Sequence, residues 1–301
     1  MRKYIIMSDT CSDLSKKVRE QYDLEYVPMR YIYDDNDVEA SLDWEPLSAK
    51  EFYDVMRKGT RIRTAAVNTQ TFLEHFEKYL KEGYDVLYIA CSKALSTSIN
   101  SANAAKDELL PKYPEAKIIC VDSINSTGCL TLLCIKASKL RAEGKTIEET
   151  AAWVEENKKF FNQEAVVDKL AYLKQAGRVS ASSAFFGDLL SIKPVIISDI
   201  HGYNYAVEKV KGRKRSIARI IEKTIAEYVP NDLGIAIHHA DCLDEALAVK
   251  ETLKEALGLT DDQFEVDYIG PTVGASVGPG TLSIFFYGTE VTADSLADSK
   301  K

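Results

Sequence analysis

The sequence predicts an α/β protein, with an N-terminal doubly wound parallel sheet followed by a second α/β domain built on a mixed sheet. Three observations carry that expectation. Short, almost wholly apolar runs recur at Tyr4–Met7, Asp85–Ala90 and Lys117–Val121, the pattern of strands covered on both faces. Helical stretches lie between them, the order of a parallel sheet. Past the middle of the chain the texture changes, with turn signals at Gly177-Arg178 and His201-Gly202 between strand-like runs, so hairpins join the crossovers.

In chain order, Tyr4–Met7 reads as the first strand, Leu14–Tyr22 as a helix and Glu25–Tyr33 as one alternating strand. Ser48–Arg57 reads as a helix whose first residue caps it, with Glu51 completing a capping box. Thr71–Glu82 is a helix, Asp85–Ala90 a buried strand, and Ser98–Leu110 a helix stopped by Pro111. Lys117–Val121 is a strand, and Asn125–Glu143 a long apolar helix ending at Gly144. Thr146–Phe161 opens on a second capping box, Thr146 with Glu149. Val166–Asp168 reads as strand, Ser182–Leu190 as a short amphipathic helix, and Ile192–Ile197 as a strand made irregular, or kept at an edge, by Pro194. Asn204–Val210 pairs back across the turn, and a basic helix runs Arg213–Tyr228. Leu233–His239, Phe264–Ile269 and Thr281–Tyr287 are strands, with a helix over Leu243–Leu257, and the polar tail after Gly288 is expected to fray. The break between domains falls around residues 145–163, giving domains of 1–150 and 160–290.

The 301 residues are 46% hydrophobic and 28% charged, with a formal net charge of -8. That balance suits a globular protein and argues against nucleic acid as the main partner. No apolar run reaches the roughly 20 residues of a bilayer span, so membrane contact is at most transient. The first apolar run is too short for the core of a signal peptide. Six cysteines are scattered through the chain with no CxxC pair and no Cys/His cluster. Neither a metal site nor a disulfide framework is expected, and buried free thiols place the protein in a reducing cytoplasm.

The most distinctive segment is Ile269–Gly280, in which four glycines and two prolines are interleaved with Val and Ala. It reads as a buried, rigid loop presenting backbone N–H groups and the Ser276 hydroxyl, or else as a tight turn between strands. Open parallel sheets bind ligands beyond the carboxyl ends of their strands. Those ends here are Ser8–Asp13, Cys91–Ser98 and Asp122–Gly128, each dense in hydroxyls. One cap per helix would need fewer. A rim of hydroxyls and helix N-termini suits a phosphate or a carboxylate. No GxGxxG follows the first strand, no GxxxxGK[ST] occurs, and no GxSxG elbow appears. Only four histidines are present, His75, His201, His238 and His239. No catalytic residue is assigned and no cofactor is expected.

Several motifs in order resemble those of the DegV family, whose members include fatty-acid-binding FakB proteins. They are Ser8–Leu14, Leu95–Ala102, Val121–Ser123 with Ser126–Gly128, Leu173–Ser180, Lys193-Pro194 and the Gly270–Gly280 segment, together spanning roughly residues 3–287. The resemblance implies one long-chain fatty acid held between the two domains, the N-terminal one supplying head-group hydroxyls. It implies that Thr64 and Ser96 grip the carboxylate, with Ser92 close by and Ser276 and Gly274 in the C-terminal segment. This chain departs from the family in Ala65, where a Ser follows the Thr, in Thr97, where the family has Gly, and in Ser276, where members often carry a His.

Burying a methylene is worth roughly 0.8 kcal/mol, so a C16 tail could supply on the order of 10 kcal/mol before ordering costs. Phe185, Phe186, Leu189, Leu190, Ile192 and Val195 are candidates for the tunnel wall, or ordinary core. Arg178 could hold the anion's field or cap a helix. The basic residues Lys209, Lys211, Arg213, Lys214, Arg215 and Arg219 form either a solvated helix face or, as the resemblance implies, a docking face for a fatty acid kinase. The chain thus reads as a non-catalytic lipid carrier. The alternatives are an enzyme acting on a small polar substrate at the hydroxyl rim and a regulatory ligand sensor.

Overall fold

The computed structural model describes residues 2–180 and 191–298. The strands in chain order are β1 (Tyr4–Asp9), β2 (Leu24–Val27), β3 (Arg30–Tyr33), β4 (Asn36–Glu39), β5 (Arg63–Ala65), β6 (Asp85–Ala90) and β7 (Ile118–Asp122), then β8 (Phe161–Val166), β9 (Val179–Ser180), β10 (Ile192–Ser198), β11 (Asn204–Lys211), β12 (Ile235–His239), β13 (Phe264–Tyr268) and β14 (Leu282–Tyr287). The helices are α1 (Lys16–Tyr22), α2 (Ala49–Arg57), α3 (Thr69–Lys81), α4 (Ser98–Leu109), α5 (Thr127–Ala142) and α6 (Ile147–Asn157), then α7 (Leu170–Ala176), α8 (Arg213–Glu227), α9 (Leu243–Leu257), α10 (Pro271–Val277) and α11 (Ser295–Asp298).

The first sheet is all parallel, in the order β2-β1-β6-β7. All six residues of β1 and of β6 are buried, which is why their sequences are continuously apolar rather than alternating. The chain moves to one side of β1 for β2 and to the other side for β6, so the switch point lies between β1 and β6. The second sheet is mixed, in the order β13-β12-β14-β8-β10-β11-β9, with parallel pairs only at its two ends. Helix α5 joins the two sheets. Twelve of its residues are buried, and it packs on β1 as well as on β12 and β14. Its Gly128 lets the Phe285 ring of β14 come so close that a Cβ there would sit 2.3 Å from the ring. A second core, on the far side of the mixed sheet, lies under α8 and α9 and includes Val195, Ile220 and Ile237.

Both capping boxes form as their spacing predicts, Ser48 with Glu51 and Thr146 with Glu149. Three expectations need correction, and for β10 one of the two alternatives holds. The run Glu25–Tyr33 is two strands, because Pro28 lacks an N–H donor and the chain turns there. β2 lies beside β1, while β3 enters a small antiparallel sheet, β4-β3-β5. The Ile269–Gly280 segment is not a loop throughout. Pro271 starts the two-turn helix α10 at its first position, and Gly278 ends it at φ 79°. β10 is irregular at Val195/Ile196 but is internal, between β8 and β11. Its contact with β8 covers Val195 and Ile196 only, which leaves Pro194 outside that ladder. The tail does not fray at Gly288. Asp199, after β10, accepts hydrogen bonds from Ser295, and Ile200 N–H donates to Ala293.

Candidate functional site

A cavity of about 360 Å³ opens at the carboxyl ends of β1 and β6, at the switch point. Three segments of the parallel-sheet half reach it, through Cys11 after β1, Cys91 and Lys93 to Thr97 after β6 and Ser126 after β7. Met29 and Thr64 border it from β3 and β5, and the other half contributes Arg178, Asn204 and the α10 residues Thr272, Val273, Ser276 and Val277.

The local chemistry leaves donors free. Thr97 and Ser126 are the N-cap residues of α4 and α5, yet neither side chain makes a capping hydrogen bond. Both border the cavity. Thr64 is half-buried on β5, opposite Tyr31, and Ser276 is half-buried on α10. Among the described residues neither of these hydroxyls has a hydrogen-bond partner. Two helix N-termini and four uncommitted hydroxyls around one cavity make an anion site of neutral donors. The turn leading to α5 is strained. Ile124 and Thr127 are β-branched residues at φ 52° and 50°, and the buried Thr127 hydroxyl has no partner. Such conformations persist where surrounding structure holds them, often beside ligand sites.

The predicted site residues separate cleanly. Thr64, Ser96, Ser276 and Arg178 all border the cavity. Ser96 is partly committed, its Oγ lying 2.9 Å from the Ser98 Oγ and accepting the Ser98 N–H. Arg178 sits exposed at the rim, donating to the carbonyls of Leu95 and of Ala176, the last residue of α7, so it caps the C-terminal end of that helix and also ties the two halves of the cavity edge together. Ser92 does not border the cavity. Its hydroxyl is fully buried, accepts the Ala94 N–H and lies against Gly202. Gly274 does not border it either, because in α10 its N–H donates to the Gly270 carbonyl. A Cβ at Gly274 would meet the Tyr53 hydroxyl at 2.5 Å, so the glycine serves packing. Val195 lies in the core under α8, and Ile192 pairs with Lys211 at the start of the β10–β11 hairpin. Phe185, Phe186, Leu189 and Leu190 lie outside the described residues.

Two of the six residues of the basic run are neutralised. Arg213 is half-buried in an ion pair with Glu245, and Arg219 pairs with Glu208 and Glu222. Among these residues Lys209, Lys211, Lys214 and Arg215 are exposed. Among the described residues no histidine borders the cavity. His239 is held down at about 4, by burial first and then by the charge of His238.

The sequence spacing missed one grouping. Asp9, Cys11 and Cys91 each bring a side-chain ligand atom within 4.8 Å of the others. Burial raises the Asp9 carboxyl, against the donors Tyr88, Cys91 and Cys11 that favour its charge. Met29 and Asn204 were also invisible in the sequence, since nothing in their local pattern shows which way the chain brings them.

A family model described as an uncharacterised protein of the DegV family matches residues 3–289. A DegV domain-containing protein of Clostridium perfringens is 38% identical over 291 residues, covering 96% of this chain and 98% of that protein. A DegV lipid-binding protein of Thermotoga maritima superposes with a TM-score of 0.82 at 26% identity, covering 96% of this chain and all of its own (100%). DegV of Bacillus subtilis, a fatty acid binding protein, superposes at 0.80 with 25% identity and the same coverage, 96% and 100%.

Proposed function

This chain belongs to the DegV family, and on that footing we propose that it binds one long-chain fatty acid, palmitate-like in length, carboxylate in the hydroxyl-ringed cavity and tail shielded between domains 1–150 and 160–290. The observation that carries the reading is the set of uncommitted hydroxyls, Thr64, Thr97, Ser126 and Ser276, around one cavity drawn from both halves of the chain. A carboxylate leaving water must recover hydrogen bonds, and these donors supply them without a permanent counter-charge. The tail supplies the driving force, roughly 0.8 kcal/mol for each methylene buried.

The acid is presented rather than converted. A second cavity of about 200 Å³ shares Thr64, Ser276 and Arg178 with the first and adds Arg61 and Arg63. This is the side from which a separate fatty acid kinase would phosphorylate the carboxylate, since guanidinium groups suit a phosphoryl product. Lys209, Lys211, Lys214 and Arg215 are the exposed basic residues for docking such a partner. The cytoplasm, where thiols such as Cys11 and Cys91 stay reduced, is the setting this role requires.

Native mass spectrometry tests the reading. The purified chain, or the chain incubated with palmitate, should carry one adduct of fatty-acid mass, and Thr64→Ala with Ser276→Ala should lose it. A clean apo mass after incubation would refute the proposal, and full retention by the double variant would move the carboxylate elsewhere.

A further inference from the structure

We propose that Cys11, Cys91 and Met29 form a binding site for a soft monovalent cation of the copper(I) type on the wall of the cavity. The three side chains come from three separate segments, after β1, after β6 and at the start of β3, and all border the same cavity. The Cys11 Sγ lies 3.4 Å from the Met29 Sδ, and the Cys11 and Cys91 sulfurs lie within 4.8 Å of each other. Two metal–sulfur bonds of ~2.3 Å in line span ~4.6 Å, so a cation could bridge the two sulfurs with little backbone movement.

Asp9 organises the pair rather than joining it. Its Oδ1 accepts the Cys11 N–H at 2.9 Å, and its Oδ2 accepts the Cys91 N–H at 3.1 Å and the Tyr88 hydroxyl at 2.7 Å. One buried carboxylate therefore holds both cysteine backbones in place, as outer-shell groups do around metal ligands. Two thiolates and a thioether select a soft ion that accepts low coordination. Zinc, which takes four ligands in its structural sites, is poorly served. On binding, the two thiols release two protons to solvent and one cation replaces them, so the loaded site carries one more negative charge than the empty one. Cys120, Cys129, Cys134 and Cys242 do not border this cavity, so they are internal controls.

The test is an anaerobic titration of the reduced full-length chain with copper(I), repeated with silver(I) as a redox-inert probe, under competition from a copper(I) chelator. The expected result is one equivalent retained per chain, lost in Cys11→Ser and in Cys91→Ser and kept in Cys120→Ser and Cys242→Ser. Absence of uptake by the natural sequence, or retention in both Cys11→Ser and Cys91→Ser, overturns the proposal. A second measurement needs no variant. Bound silver(I) should protect Cys11 and Cys91 from alkylation by a small thiol reagent, mapped by peptide mass, and protection of other cysteines in their place refutes the assignment.

Discussion

The Nδ1 of His238, at the end of β12, lies 3.7 Å from the Oδ2 of Asp13, just beyond β1, with both side chains fully buried. This pair crosses from the parallel sheet to the mixed one. On its other side His238 Nε2 lies 3.3 Å from Glu265. Burial lifts the Asp13 carboxyl to about 6. Burial alone would lower His238, but the neighbouring carboxylates of Asp13 and Glu265 outweigh that and raise it to about 10. Between those two values Asp13 is an anion and His238 a cation. Neither Asp13 oxygen makes a hydrogen bond, so the imidazolium is its main counter-charge.

Removing one partner of a buried pair leaves the other charge stranded, at a cost of about 3–5 kcal/mol. His238→Gln should therefore destabilise strongly at pH 8, where Asp13 is charged. In the natural sequence, His238 is raised on folding, so its contribution is complete below about pH 6.5, its unfolded value, and is lost as pH rises toward about 10. Urea unfolding at several pH values reads both trends. A variant as stable as the natural chain at pH 8, or a natural chain whose stability stays flat from pH 6.5 to about 10, would contradict this account.

Gly274→Ala should destabilise without touching the cavity. The new methyl group would lie 2.5 Å from the Tyr53 hydroxyl, which donates to the Ile269 carbonyl at 2.5 Å. Overpacking of this kind costs roughly 1–3 kcal/mol. Thermal unfolding should show a clear drop in Tm, and an unchanged Tm would mean that Tyr53 moves aside freely.

Arg178→Ala should weaken fatty acid binding modestly, by removing positive field at the cavity rim, and that part of the loss should shrink in high salt. Fluorescent fatty acid displacement at low and high salt measures it. Salt-independent loss would point to the two carbonyl contacts of Arg178 instead of its charge.

Arg213 and Arg215 are neighbours in the chain with different fates. Arg213→Glu breaks a half-buried pair with Glu245 that joins α8 to α9, so its Tm should fall. Arg215→Glu alters an exposed residue, and its stability should stay within about 0.5 kcal/mol of the natural chain. Calorimetry of the two variants decides between these fates, and equal losses would deny the distinction.

Local chemistry made much of this protein legible in its sequence. Continuous apolar runs marked β1, β6 and β7 because a strand buried on both faces has no polar side to show. The capping boxes at Ser48 and Thr146 set helix starts because their hydrogen bonds span only three residues. The ordered motifs from Ser8 to Gly280 pointed to the family, and hydroxyl-dense strand ends marked the rim where the cavity opens. Tertiary structure decided what depends on partners distant in the chain. Ser92 and Ser96, four residues apart in equally polar sequence, differ because one turns into the packing beside Gly202 while the other faces the cavity. Gly274 looked like a donor until helix α10 took up its N–H. Arg213 looked like a free cation until α9 brought Glu245 against it. Cys11, Met29 and Cys91 carry no shared spacing, and only the parallel pairing of β1 with β6, together with the turn after β2 that ties Met29 to Thr10, brings their sulfurs to one wall. Short-range bonds are written in neighbouring residues, whereas burial and charge pairing belong to whichever segments the fold brings together.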